Sequence, residues 1–229
     1  MAVWATIGKA LSSIGKGTTD LFAAVGLTAG DGERSREAAF SMAVVALAAK
    51  LAKADGVVTA SEVEVFWRRF DIPPNAHPPI RRLFELAQKD VAGFQAYAEK
   101  VVKLFPDDLE IREDLLDVLF SIAAADRLMH LAELAYLKKV ADIFGIDEVH
   151  FERIKARHLE PEGNPHAVLG TDPCMTFAQI RKAYLKLVAE HHPDRLAARG
   201  VPADFHRLAN DRLAAINAAY DALERSRAS

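Results

Sequence analysis

The residues of this chain best suited to contacting another molecule are three consecutive ones, His192, Pro193 and Asp194. Pro193 disfavours helical backbone at the residue before it, so a helix that leads up to the tripeptide must end there. The carboxylate of Asp194 matches an arginine guanidinium, with which it can form two parallel hydrogen bonds. The chemistry that these residues predict is therefore ion pairing with a partner at an exposed loop.

Two amphipathic helices are predicted on either side of the tripeptide. Thr176 and Gln179 have the spacing of a capping box, so the first helix is expected to begin near Phe177. Gly200 and Pro202 break the chain before the second helix starts. Apolar residues recur at three- and four-residue steps in both segments, so the helices can pair antiparallel with the tripeptide at the tip. The two stripes are Phe177, Ile180, Tyr184, Leu187 and Val188, and Phe205, Ala209, Leu213, Ile216, Tyr220 and Leu223.

A basic face is predicted on the first of these helices. Arg181, Lys182 and Lys186 lie outside its apolar stripe. Such a face steers the encounter with an acidic partner and affects the association rate more than the affinity. Without the neighbouring loop, three basic residues on a helix would be read as a solvated surface. His191 and His192 are not expected to form a metal pair, because consecutive helical residues diverge by about 100°.

The stretch from Asn164 to about Arg225 resembles the J domains of DnaJ-type co-chaperones. The resemblance is carried by a short first helix at residues 164–170, by residues 180–184 and 189–195, and by residues 216–220. Within the J-domain proteins the chain looks closest to the membrane-anchored DjlA-like branch, because residues 190–196 and 200–202 follow its pattern.

This resemblance implies that the chain docks on a DnaK-type chaperone in its ATP-bound state and stimulates ATP hydrolysis. The residues that match the essential loop are His192, Pro193 and Asp194, and those that match the basic docking face are Arg181, Lys182, Lys186 and Arg195. Leu185 and Glu190 stand where many relatives have basic residues. We therefore expect weaker docking to a generic DnaK, or a preference for a particular one.

A second helical domain is predicted at residues 35–159, and it contains an internal repeat. Asp55 ends one apolar run and Glu62 follows seven residues later, and Asp126 and Glu133 repeat this spacing. The repeated unit is a helix, a tight turn and a second helix. This arrangement resembles the TerB-like (tellurite-resistance-B-like) helical domain, which accompanies the J domain in DjlA-like proteins.

The four acidic residues of the repeat have two interpretations. In the TerB-like family, paired acidic residues at helix ends have been discussed as a cation site, and the matching positions are Asp55, Glu62, Asp126 and Glu133. Converging carboxylates would supply the oxygen ligands that calcium or magnesium requires. Alternatively, each Glu stabilises a helix N-terminus through the helix dipole and each Asp caps or turns the chain. We expect the second, and hence no cofactor, with a divalent cation as the alternative.

The remaining segments are an amphipathic N-terminal stretch at residues 1–34 and a turn-rich linker at residues 160–163, after which the J domain occupies residues 164–229. The N-terminal stretch has neither an uninterrupted apolar run of about 18 residues nor a basic start, so we expect neither a transmembrane helix nor a secretory signal. We expect a helix packed on the TerB-like bundle; the alternatives are a peripheral membrane contact through residues 1–25 or docking on a partner.

Composition limits the function classes. A net charge of −3 and a hydrophobic content of 51% are typical of a globular protein, without the basic stripe of nucleic-acid binding. The single cysteine, Cys174, cannot form an internal disulfide. No triad-like nucleophile, phosphate-binding glycine loop or three-ligand metal cluster is recognised, so an enzyme is not expected.

The sequence as a whole predicts an all-α protein in which a TerB-like bundle is followed by a J-domain antiparallel helical hairpin. The expected function is that of a stress-linked, cytoplasmic co-chaperone, peripheral at the inner face of the membrane if its first segment binds there. Its TerB-like domain would supply localisation, self-association or client contact. The alternative is a metal-responsive or stress-linked TerB-type binding module with a weak or vestigial J domain.

Overall fold

The computed structural model describes residues 33–54, 64, 67, 77–88, 93–124, 129–159, 164–192 and 206–228. These residues form helices and connecting turns and contain no strand, so the predicted all-α fold class is confirmed. The helices are α1 (Glu33–Leu51), α2 (His77–Ala87), α3 (Phe94–Leu104), α4 (Leu109–Ala123), α5 (Leu131–Phe144), α6 (Glu148–Leu159), α7 (Pro165–Leu169), α8 (Phe177–Glu190) and α9 (His206–Ala228).

Helix α1 lies at the centre of the larger bundle. Every hydrophobic side chain from Met42 to Ala52 is 0% exposed. A helix that is apolar on all sides must be surrounded, and α2, α3, α4 and α5 all pack against this one. The hydroxyl of Ser41 donates to the carbonyl of Glu37 at 2.9 Å, which satisfies this buried polar group within its own helix.

Aromatic side chains fill the space around α1. Phe40 and Phe105 meet edge to face, with ring centroids 5.1 Å apart. The ring of Tyr136 on α5 lies 4.7 Å from that of Phe94, and its hydroxyl donates to the carbonyl of Leu47 at 2.9 Å. Because the hydroxyl is buried, the pKa of Tyr136 is raised well above its ordinary value. The aromatic layer thus packs α3 and α5 against α1 without leaving this polar atom unsatisfied.

The starts of α7 and α8 are set by side-chain caps. The Asn164 side chain accepts hydrogen bonds from the backbone N–H groups of His166 and Ala167 at 3.1 and 3.3 Å. The N–H of Thr176 donates to Gln179 Oε1 at 2.8 Å, and the N–H of Gln179 donates to Thr176 Oγ1 at 3.4 Å. This is the predicted capping box, and α8 begins at the next residue after Thr176, as predicted.

Helices α7, α8 and α9 surround a smaller apolar cluster. Phe177 at the start of α8 lies beside Arg227 near the end of α9, and Tyr184, later in α8, donates to Asn217, earlier in α9, so the two helices are antiparallel, as predicted. Helix α8 ends at Glu190. This is two residues before His192, where the helix was expected to end because of Pro193. The buried members of the cluster are Val168, Leu169, Ile180, Leu187, Ile216 and Ala219.

None of the helices within the described ranges is long and apolar enough to cross a membrane. The N-terminal segment, for which the sequence predicts an amphipathic helix, lies outside the described residues, as does the linker at residues 160–163.

Candidate partner-binding site

The predicted basic face of α8 lies on the protein surface. Arg181 and Lys182 are exposed, and the side chain of Lys186 is 75% exposed. Lys186 Nζ lies 3.5 Å from Glu190 Oε1, an exposed pair of the kind that contributes little to stability. Glu190 nevertheless offsets part of the positive charge of this face near the end of the helix.

A shallow groove runs beside Arg181 and Lys182 on the side of α8 that faces α9. Tyr184 stacks on Tyr220 with ring centroids 4.1 Å apart, and the Tyr184 hydroxyl donates to Asn217 at 3.1 Å. Leu185 is 52% exposed in the same groove. The surface beside the basic residues is therefore partly apolar and aromatic, which the sequence pattern did not predict.

A further basic residue lies close to this groove. The guanidinium of Arg227, near the end of α9, lies 4.9 Å from the centre of the Phe177 ring, a favourable cation–π distance. Sequence reasoning missed Arg227 because it is 46 positions after Arg181 and only the antiparallel pairing of α8 and α9 brings the two helices together.

At the loop end of α8, two consecutive histidines have opposite surroundings. His192 is exposed, whereas His191 is only 4% exposed. The two side chains thus lie in different environments. Pro193, Asp194 and Arg195 lie outside the described residues, so their predicted roles stay predictions.

His191 is buried because the larger bundle packs against the hairpin at this point. Its Nδ1 atom lies 3.7 Å from Asp114 Oδ1 on α4. Burial, together with the positive charge of Arg212, lowers the pKa of His191 to about 2. The imidazole is therefore neutral at ordinary pH, and its approach to Asp114 is not an ion pair.

Asp114 and Glu113 of α4 form a buried ion cluster with Arg212 of α9. Arg212 donates one hydrogen bond from Nη1 to Asp114 and another from Nη2 to Glu113 Oε2, the latter 3.0 Å long. Burial opposes the charge on Arg212, but the carboxylates of Asp114, Asp117 and Glu113 outweigh burial and raise the pKa of Arg212. Burial raises the pKa of Asp114, although Arg212 opposes that shift. One guanidinium thus joins two carboxylates across the boundary between the two halves.

A second contact across this boundary involves Gly170, the C-cap of α7, which has a φ of 61°. A Cβ atom at Gly170 would meet Nε of Arg153 on α6 at 2.6 Å. Glycine is thus favoured both by the left-handed backbone and by the close approach of the guanidinium. Beside this contact, a cleft of about 350 Å³ separates α4 and α6 from α8.

Sequence reasoning missed the buried ion cluster, although a signal for it was present. Asp114 falls three residues after Ile111 and four before Val118, so it lies on the apolar stripe of α4. Arg212 falls four residues before Ile216, on the stripe of α9. Charged residues on apolar stripes indicate buried partners of opposite charge, because an unpaired buried charge is costly.

The candidate cation site is only partly within the described residues. Asp55, Glu62 and Asp126 lie outside them. Glu133 is 2% exposed, and its Oε2 atom accepts a hydrogen bond from the backbone N–H of His130 at 2.9 Å. Glu133 thus stabilises the start of α5. Among the described residues there is no group of three His, Cys, Asp or Glu side chains that could hold a metal ion.

Comparison with known proteins identifies a family for each half of the chain. The family model described as "Tellurite resistance protein TerB" matches residues 41–156, and the one described as "DnaJ domain" matches residues 164–228. The class is therefore that of a J-domain protein with a preceding TerB-type bundle. No solved structure matches the chain.

Curated relatives are similar over most of the length of the chain. "Co-chaperone protein DjlA" of Photobacterium profundum is 25% identical over 219 residues, which cover 84% of this chain and 79% of the relative. The protein of the same name from Escherichia coli (strain K12) is 22% identical over 225 residues, which cover 85% and 82%. The chain belongs to the DjlA-like proteins, which join a TerB-type domain to a J domain.

Proposed function

We propose that this protein is a co-chaperone that binds a DnaK-type chaperone through α8 and the adjoining His192–Pro193–Asp194 loop and stimulates ATP hydrolysis by that chaperone. The observation that carries the proposal is the exposure of Arg181, Lys182 and His192 on one capped J-domain hairpin. The names of the curated relatives support the same role.

The partner performs the chemistry in this proposal. ATP hydrolysis takes place in the chaperone, and the J domain shifts its population towards the hydrolysis-competent state. Such a shift requires that the J domain bind this state more tightly than the others. The positive charge of Arg181 and Lys182 would speed the encounter with an acidic surface, whereas the loop would act at short range.

The test is single-turnover ATP hydrolysis by a bacterial DnaK over a range of concentrations of the full chain. We expect His192→Gln to abolish stimulation at every concentration. We expect Lys182→Glu to raise the concentration needed for half-maximal stimulation by about tenfold, because the reversed charge repels an acidic partner.

A matched control is Lys103→Glu, which makes the same charge change on α3. The Lys103 side chain is 71% exposed and lies 3.9 Å from Glu99 within its own helix. This variant should stimulate like the unmodified protein. Stimulation that survives His192→Gln, or its absence with several DnaK proteins, would contradict the proposal.

The TerB-type half is proposed to supply localisation, self-association or client contact. Leu131 is 86% exposed and Val149 is 67% exposed in this half, so its surface offers apolar contacts. Sedimentation velocity of the full chain separates self-association from the other two roles. A concentration-dependent dimer that Leu131→Ser abolishes would support self-association, and a monomer at all concentrations would exclude it.

The alternative function, a metal-responsive TerB-type module, is favoured by the reduced positive charge of α8 at Leu185 and Glu190. It is tested by thermal unfolding with calcium or magnesium added. Stabilisation that is lost in Asp55→Ala and Asp126→Ala would support a cation site, and an unchanged unfolding temperature would exclude one.

A further inference from the structure

A single carboxylate of the TerB-type half contacts both arms of the J-domain hairpin at its loop end. Asp114 accepts a hydrogen bond from Arg212 on α9, and its Oδ1 atom lies 3.7 Å from His191 Nδ1 at the end of α8. Glu113 accepts the second hydrogen bond of Arg212 at 3.0 Å. Asp114 therefore bridges the two chain segments that flank residues 193–205.

We infer that Asp114 is a positioning residue: through its hydrogen bond to Arg212 and its contact with the neutral ring of His191, it keeps His192 presented to the chaperone in one orientation. The inference rests on the proposed co-chaperone function and adds to it a residue outside the J domain. It assigns the TerB-type half a direct part in stimulation.

The exposed fractions of the side chains favour a TerB-type half that positions the docking surface of the J domain over one that covers it. His191 is 4% exposed, whereas His192, the next residue, is exposed. Arg181 and Lys182 are exposed as well. A domain that masked the docking surface would bury these three residues, but the TerB-type half covers only the residues beside them.

The buried ion cluster is suited to fixing an orientation. Asp114, Glu113 and Arg212 are 7%, 8% and 5% exposed. A buried guanidinium must keep its hydrogen-bond geometry to both carboxylates, because a charge that loses its partner in a poorly solvated site is strongly disfavoured. Tilting of the hairpin against α4 would break these hydrogen bonds, so the hairpin is held at one angle.

Helix α4 also provides a matched control residue. Asp117, one turn after Asp114, accepts hydrogen bonds from Arg157 Nη2 at 2.7 Å and from His158 Nε2 at 3.1 Å. Both partners lie on α6, within the TerB-type half. Burial favours the neutral carboxyl, but Arg157 and His158 outweigh it and hold the pKa of Asp117 well below its ordinary value. Asp117 also attracts Arg212 electrostatically, but among the described residues its hydrogen bonds go to α6 and not to the hairpin. Asp117→Asn therefore breaks a strong ion pair on the same helix while keeping the hydrogen bonds of Arg212, so its effect on the hairpin should be the smaller one.

The experiment measures DnaK ATP hydrolysis with the full-length variants Asp114→Asn, Arg212→Gln and Asp117→Asn, and with the double variant Asp114→Asn/Arg212→Gln. We expect Asp114→Asn to lower the maximal stimulated rate at least about fivefold, because small displacements of an acting group are costly. The concentration for half-maximal stimulation should stay within about twofold, since the basic face is unchanged. The maximal stimulated rate with the double variant should be no lower than that with the slower single variant, because both changes break the same bridge.

Two outcomes of this assay would overturn the inference. One is a maximal rate for Asp114→Asn equal to that of the unmodified protein. The other is an equal loss in Asp117→Asn, which would mean that general destabilisation of the bundle causes the effect. A protein that fails to stimulate DnaK at all would contradict the proposed function instead, and a second measurement then tests the positioning role alone.

That measurement is hydrogen–deuterium exchange of the full chain in the absence of DnaK. If Asp114 holds both arms, Asp114→Asn accelerates exchange in peptides covering residues 186–192 and 206–215, and it does so more than Asp117→Asn. Unchanged exchange at either arm in Asp114→Asn would overturn the inference, whatever the result with DnaK.

Discussion

At the scale of single residues, burial controls the protonation of His191. The pKa of His191 is lowered to about 2 by burial and by Arg212. The unfolded chain therefore binds a proton at this residue below about pH 6.5, while the folded protein does not. Acid thus favours unfolding, and the stability associated with the neutral imidazole is lost as the pH falls below about 6.5.

We expect His191→Asn to remove this acid sensitivity. Between about pH 7 and pH 4.5, the free energy of unfolding of the unmodified protein should fall by about 2–3 kcal/mol relative to the variant. Urea denaturation of both proteins at several pH values measures this difference, in which the contributions of the other titrating groups largely cancel. A difference that does not change with pH would show that His191 is accessible to protons in the folded state.

At the scale of the helix, α8 combines a basic face with an exposed leucine. Leu185 is 52% exposed between the positions of Arg181, Lys182 and Lys186. A lysine there would add positive charge to the side of α8 that is proposed to meet the acidic surface of DnaK. Since it replaces an exposed side chain, the change should cost little stability.

We expect Leu185→Lys to lower the concentration needed for half-maximal DnaK stimulation several-fold, by about 3- to 10-fold at low salt. The gain should shrink as salt is added, because screening weakens attraction between exposed charges. Leu131→Lys is the control, since Leu131 is exposed on α5 in the other half. An equal gain in Leu131→Lys would indicate a non-specific charge effect, and no gain in Leu185→Lys would indicate that the leucine itself contacts the partner.

At the scale of the whole molecule, the two halves are joined by buried charges. Among the described residues, the J-domain half has a small set of buried hydrophobic residues, whereas the bundle around α1 has a large one. A small core is marginal by itself, so we expect the hairpin to depend on its contact with α4 and α6. We therefore expect the intact chain to unfold in one cooperative transition.

Arg212→Met should separate the two halves. It leaves Asp114 and Glu113 buried without their guanidinium, a change that typically costs about 3–5 kcal/mol. Differential scanning calorimetry should show one transition for the unmodified protein and an additional, earlier one for the variant. Arg225→Met, at an exposed arginine of the same helix, should keep the single transition. Two transitions in the unmodified protein would contradict the expected coupling.

Local patterns in the sequence were sufficient to predict the helices of the hairpin and their pairing. The spacing of Thr176 and Gln179 predicted the start of α8, because a capping box uses only residues within one turn. The apolar steps from Ile180 to Leu187 predicted its buried face for the same reason. The resemblance of the two halves to the TerB and J domains was likewise visible in the sequence, and the family models confirm it.

The contact between the halves was decided by the tertiary structure alone. Asp114 and Arg212 are 98 positions apart, and no local spacing relates them. The sequence marked each as a charge on an apolar stripe, but it could not identify the partner of either one. The different surroundings of His191 and His192 also depend on α4, because burial is a property of what packs against a residue. The sequence thus determined the helices and the families, and only the packing of α4 on the hairpin decided the surroundings of His191 and Arg212.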